Sequence, residues 1–138
     1  MTNAEMVFSS AIHLMDEQNE STGATTTSDT KEYRLRTLSI LNILRNELYP
    51  YSDTYEAESG RKRPVCKMIT SFDEEIGLDD VIAQGIMPYG LAAHLLLGEN
   101  DALASFFNQR YMELINTLAA KAPSEWESIE PAYGSIGI

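Results

Sequence analysis

Few side chains in this chain could do covalent or proton-transfer chemistry, and they are scattered. His13 and His94 lie far apart, and His94 falls inside the most apolar helical pattern, where a core or interface imidazole is expected rather than a base or a ligand. Cys66 is the single cysteine and has no histidine or nucleophile motif beside it, so a catalytic thiolate is not expected. It also makes an intramolecular disulfide impossible, which fits a reducing compartment. Asp73-Glu74-Glu75 with Asp79-Asp80 gathers carboxylates that could face a hard cation. It lacks the spacing and central glycine of a calcium loop, and a solvated loop running into a helix N-terminus explains it more simply. Gly85, Pro88 and Gly90 do not form a phosphate cradle, because no Lys-Ser/Thr pair follows them. Arg61-Lys62-Arg63 is the only basic run. It could meet phosphate or a carboxylate-rich surface, or be a solvated loop tip. The expectation is therefore no catalytic residue, no metal, no cofactor, and a protein that is not an enzyme.

The bulk numbers agree with that direction. The 138 residues suit one domain, and 43% hydrophobic content supports a modest core. A net charge of −11 disfavours nucleic acid and anionic membrane as partners. The N-terminal stretch carries Glu5 early and has no basic region or cleavage site, so it does not read as a signal peptide. The longest strongly apolar run, Leu91 to Leu97, is far too short to span a membrane.

Apolar spacing predicts an all-α fold: a small bundle of about four helices with a long middle loop and an extended C-terminal arm. The helices are expected near residues 3–18, 29–48, 78–97 and 101–121. Helix one follows a cap at Thr2 or Asn3. A hydroxyl-rich connector from Glu20 to Asp29 reads as flexible, and Asp29 with Glu32 resembles a capping box. In the second helix Leu38, Leu41, Leu44 and Leu48 mark one face. Leu35, Ile40 and Ile43 widen it, and Arg34, Arg36 and Arg45 mark the wetter side.

Residues 49–77 have no helical period and are expected to form the interaction loop of a bundle domain spanning 1–123. Tyr51, Tyr55, Arg61, Lys62 and Arg63 are its candidate contacts, and Val65 to Thr70 is a possible short strand. The 51–64 segment is expected to be mobile in the free subunit and ordered in an assembly.

The third pattern bends at Pro88 and is apolar nearly all round past Tyr89. Gly90, Ala92 and Ala93 should let a neighbour approach closely. Gly98-Glu99-Asn100-Asp101 stops that helix and starts the next, which makes an antiparallel hairpin; the last helix should end before Pro123. The expected core is Leu38, Leu41, Leu44, Ile82, Ile86, Leu95, Leu96, Phe107, Tyr111 and Leu114. Residues 124–138 form the arm, with Trp126, Ile129, Tyr133, Ile136 and Ile138 as apolar anchors. It either docks on a partner or packs back on its own domain.

The Leu78–Leu118 segment resembles the helical core of bacteriophage head–tail connector proteins, also called adaptor or head-completion proteins. The likeness rests on the acidic opening Leu78-Asp79-Asp80, the helix from Pro88 to Leu97, the acidic turn from Gly98 to Asp101, and the aromatic-rich helix from Ala104 to Leu114. It covers some 40 of the 138 residues. The helix from Tyr33 to Leu48 and the stretch from Ile69 to Ile76 agree with the family's layout, while the connector and middle loop are longer than its minimal pattern. The resemblance implies a non-enzymatic component of the virion neck at the head–tail interface, assembled in the host cytoplasm. It implies a homo-oligomeric ring, commonly of about twelve copies, under the portal protein. Such a ring extends the DNA channel without specific DNA binding and is a platform for a tail-completion or neck protein. A different class, a small helical binding module or regulator that grips a partner with the hairpin, is the alternative reading. An enzyme is a third and weaker one.

Overall fold

Side-chain caps at Asn3, Asp79 and Asn100 open three of the helices among the described residues. The computed structural model describes residues 1–52 and 66–127. Helix α1 runs Ala4–Met15, and Asn3 caps it by accepting a hydrogen bond from the Met6 N–H. The expected continuation to residue 18 is cut short at Asp16. That residue turns left-handed (φ 60°), and the Asp16 and Glu17 N–H groups fold back on the His13 and Ile12 carbonyls.

The connector that follows is built of hydrogen-bonded turns. Asn19 Oδ1 accepts from the Ser21 and Thr22 N–H groups. The fully buried Thr30 hydroxyl donates to the Thr25 carbonyl at 2.7 Å and accepts from the Thr27 N–H. That use of Thr30 replaces the expected capping box. Helix α2 (Lys31–Leu48) opens after Thr30 without a side-chain cap, and Asp29 stays in the connector. A 3₁₀ turn, Tyr49–Tyr51, holds Pro50 and closes α2.

The anticipated single helix over 78–97 is two. Helix α3 (Asp80–Gly85) is capped by Asp79, whose Oδ1 accepts from the Ile82 N–H at 3.0 Å. Helix α4 (Met87–Leu96) starts beyond Ile86, with Pro88 in its first turn. Proline has no N–H for the Gln84 carbonyl, and the chain breaks two residues ahead of it, where proline is tolerated as a helix opener. Helix α5 (Asp101–Glu127) is entered through Gly98 at φ +88°, with Asn100 Oδ1 accepting from the Leu103 N–H and Asp101 Oδ1 from the Gly98 N–H. It does not stop before Pro123. Proline removes the one donor for the Ala119 carbonyl, and the backbone carries the helix past it for a further turn. The first residues assigned to the arm, 124–127, are therefore helical in their backbone.

The fold is all-α. Helix α4 is its centre, packed against α1, α2, α3 and α5. That is why it is apolar nearly all round: Met87, Gly90, Leu91, Ala92, Leu95 and Leu96 are all buried. Its main partner is α5, and the pairing is antiparallel: Gly90 meets Tyr111, while Ala93 and His94, a turn further along α4, lie beside Ala104 and Ser105, two turns earlier on α5. The Tyr111 ring lies where a Gly90 Cβ would be, 2.8 Å from that position, so the small residue sets the spacing of the two helices.

Phe8, Ile12, Leu41, Leu44, Ile82, Leu91 and Leu95 fill the interior. Of the expected core, Leu38 and Leu114 are half-buried and the others are buried. Three assignments on α2 change. Leu35 and Ile43 are exposed, at 76% and 64%, so the helix buries one face only. Arg45, expected on the wet side, is buried. No strand forms over Cys66 to Thr70. Instead, the Asn42 side chain pairs with the Ile69 backbone in both directions, at 2.8 and 3.0 Å, as a neighbouring strand would. One isolated antiparallel bridge, Asn3 with Glu75, lets the 72–76 segment accept the Ala4 and Glu5 N–H groups at the start of α1.

Candidate assembly surface

The described residues singled out for chemistry lie on separate elements. His94 is not in the core: it is exposed on α4, one residue from buried Ala93. His13 is exposed near the end of α1, and Cys66 is half-buried at the exit of the middle loop. The acidic residues hold backbone and hydroxyls. Asp79 caps α3, and Asp80 accepts from the Thr2 hydroxyl at 2.8 Å. Glu74 accepts from the Thr70 N–H and hydroxyl, and those bonds hold its carboxyl below the usual range. Among the described residues no three His, Cys, Asp or Glu side chains are grouped as a metal site would need, and no helix is long and apolar enough to cross a membrane.

Buried polar groups staple the elements together. The Arg45 guanidinium donates to the Ile76 carbonyl at 2.7 Å, to the Lys67 carbonyl, and to Asn42. Its planar fork serves three acceptors, which explains how a cation is tolerated at this depth. The Ser52 hydroxyl accepts from the Asp79 N–H at 3.0 Å. The middle loop is thus clamped at both ends, by Ser52 to the start of α3 and by Ile69 and Lys67 to α2.

Arg34 forms a two-pronged pair with Glu5, at 2.6 and 3.0 Å, and stacks over Phe72 with 3.8 Å to the ring centroid. Two phenols complete the set. Tyr111 Oη donates to Glu47 Oε1 at 2.6 Å, and Tyr33 Oη donates to Glu99. Burial first, and the carboxylate acceptor second, push both phenols well above the ordinary tyrosine range.

Of the expected contact residues, Tyr51 lies in the 3₁₀ turn and is 38% exposed. Trp126 falls in the last turn of α5. Tyr55, Arg61, Lys62, Arg63, Ile129, Tyr133, Ile136 and Ile138 lie outside the described residues, as does most of the 51–64 segment.

The surface carries apolar features that sequence spacing alone did not mark. Leu97, Leu103, Phe106 and Met112 are exposed at and beyond the α4–α5 turn. A groove of about 430 Å³ runs there between the helices, lined by Ala93, His94, Leu97, Asp101, Ala104, Ser105 and Asn108. A second, of about 200 Å³, lies between α3 and the far half of α5. Val81, Gly85 and Ile86 form one wall, and Leu114, Thr117 and Leu118 the other. Sequence spacing marked the bend near Pro88, but not that Val81, next to buried Ile82, would stand exposed at the edge of this groove. No family model, no curated protein and no solved structure matches the chain.

Proposed function

We propose that this chain is a structural assembly protein of the head–tail connector kind: a subunit that joins others in a ring beneath a portal, prolongs the DNA channel and presents a platform to a tail-completion or neck protein. One observation carries the reading. Among the described side chains of α5 the last buried one is Ile115, yet the helix backbone runs on to Glu127, about 18 Å further at 1.5 Å per residue. A helix that outruns its own bundle, flanked by open apolar grooves, suits a subunit completed by its neighbours, because an isolated short helical extension gains little stability by itself.

Two properties support it further. The segment on which the family resemblance rests, 78–118, supplies the central helix and its main partner, so the likeness lies in the packing unit and not in a peripheral loop. A net charge of −11 would let a phosphate backbone slide past rather than adhere.

The test is co-expression with the portal protein encoded in the same genome, followed by mass measurement of the purified complex. Retention on the portal at one copy per portal subunit supports the reading. A chain that does not bind the portal and leaves DNA-filled heads competent for tail joining when removed overturns it.

A further inference from the structure

The α3–α5 groove is a concave apolar surface open to solvent. Ile86 is buried at its base, Leu114 and Leu118 are half-buried on its wall, and Val81 stands 72% exposed at its rim. Its size admits one or two side chains rather than a helix. Isolated exposed apolar residues are ordinary, but here one caps a concave apolar surface.

The chain itself carries a segment of the right kind. From Leu118 to Glu127 α5 travels about 13 Å away from the groove, and Ser128 to Ile138 follow it. Those eleven residues hold Ile129, Tyr133, Ile136 and Ile138 and a single charged side chain, Glu130. Fully extended they reach up to about 36 Å. A rigid helix delivers their start well beyond the groove of its own subunit, so a direct continuation leads toward a neighbour, whereas return to the same subunit needs a reversal at the helix end. Arm on one side and groove on another make a head-to-tail contact, the type that repeats into a ring when its rotation closes.

We propose that the α3–α5 groove receives residues 128–138 of a second copy of this chain. The inference rests on the assembly reading above and supplies its subunit-to-subunit contact. Two full-length variants separate the halves of the contact. Val81→Glu spoils the groove at an exposed position and places a carboxylate in the first turn of α3, where the helix favours it. Tyr133→Asp with Ile136→Asp spoils the arm.

Light scattering over a concentration series should give the wild-type chain a mass that rises above the monomer's. Each variant should melt as the wild type does and associate at least tenfold more weakly. An equimolar mixture of the two should recover a one-to-one pair, because one intact groove and one intact arm remain. Three outcomes overturn the proposal: a wild-type chain that stays monomeric throughout, variants that associate like the wild type, or a mixture that forms no pair. If the arm variant instead speeds hydrogen exchange at Leu114–Leu118 in a monomer, the arm covers its own groove and the proposal also falls. Failure to bind a portal would remove the connector reading alone, since the complementation needs no portal.

Discussion

Replacing Gly90 by alanine should be costly in a way that replacing Gly85 is not. Both glycines are helical, and neither has a positive φ. A Cβ at Gly85 meets nothing within 4 Å, so Gly85→Ala should stabilise by about 0.4–1 kcal/mol through the unfolded state. A Cβ at Gly90 would lie 2.8, 2.9 and 3.1 Å from three carbons of the Tyr111 ring. That ring cannot step aside easily: Tyr111 is 3% exposed, and its hydroxyl is held by Glu47. Overpacking of this sort costs about 1–3 kcal/mol, against a helix-propensity gain of about 1 kcal/mol. Gly90→Ala should therefore fall below Gly85→Ala by about 1–3 kcal/mol. Urea unfolding followed by circular dichroism would read this as a gap in midpoints on the order of 1 M. Removing the ring as well, with Tyr111→Leu, should make the double variant lose less than the sum of its parts. Equal midpoints for the two glycine variants, or a higher one for Gly90→Ala, would refute the claim that Gly90 sets the α4–α5 spacing.

Leu96→Ala should cost about 2–5 kcal/mol, since Leu96 is buried at the end of the central helix; a loss under about 0.5 kcal/mol in the same urea assay would match a surface site instead. Arg45→Met should destabilise by about 1–3 kcal/mol for each carbonyl it orphans, at Ile76 and Lys67, and Arg45→Lys should recover only part, because an ammonium cannot fork to both. Stability should decline as pH rises above about 10, the ordinary tyrosine value. There the unfolded phenols lose protons that Tyr33 and Tyr111 keep in the fold, so the unfolded state binds fewer protons and the slope is negative. Tyr111→Phe should flatten that slope in thermal melts between roughly pH 9 and 11.

Much of the fold was legible because it depended on local grammar. Asn3, Asp79 and Gly98-Glu99-Asn100-Asp101 act where their spacing placed them, and the apolar helix past Tyr89 is central as its all-round hydrophobicity required. What failed needed tertiary knowledge. Arg45 sits at a position that helical periodicity marks as wet, yet it is buried by carbonyls 22 and 31 residues away that no local pattern announces. Leu35 and Ile43 look like core and are not, because among the described residues α2 has neighbours on one side only. Asn42 takes the role of a strand edge, so the alternation over Cys66 to Thr70 misled. The candidate surface was the least visible part. Its α3–α5 groove lies beside the break at Ile86, and a proline signals a bend without saying which side chains stand exposed near it.

The clamps on the middle loop have a practical consequence. Ser52 is tied to Asp79 on one side, and Ile69 and Lys67 to Asn42 and Arg45 on the other. Both flanks of residues 53–65 are thereby fixed to the bundle, and the cost of closing a loop between them grows only with the logarithm of its length, about 0.6 kcal/mol for each doubling. That stretch is a natural splice point. An affinity tag inserted there should leave α2 and α3 folded in the free subunit, so any loss of association it causes would report on contacts made by the loop rather than on the bundle.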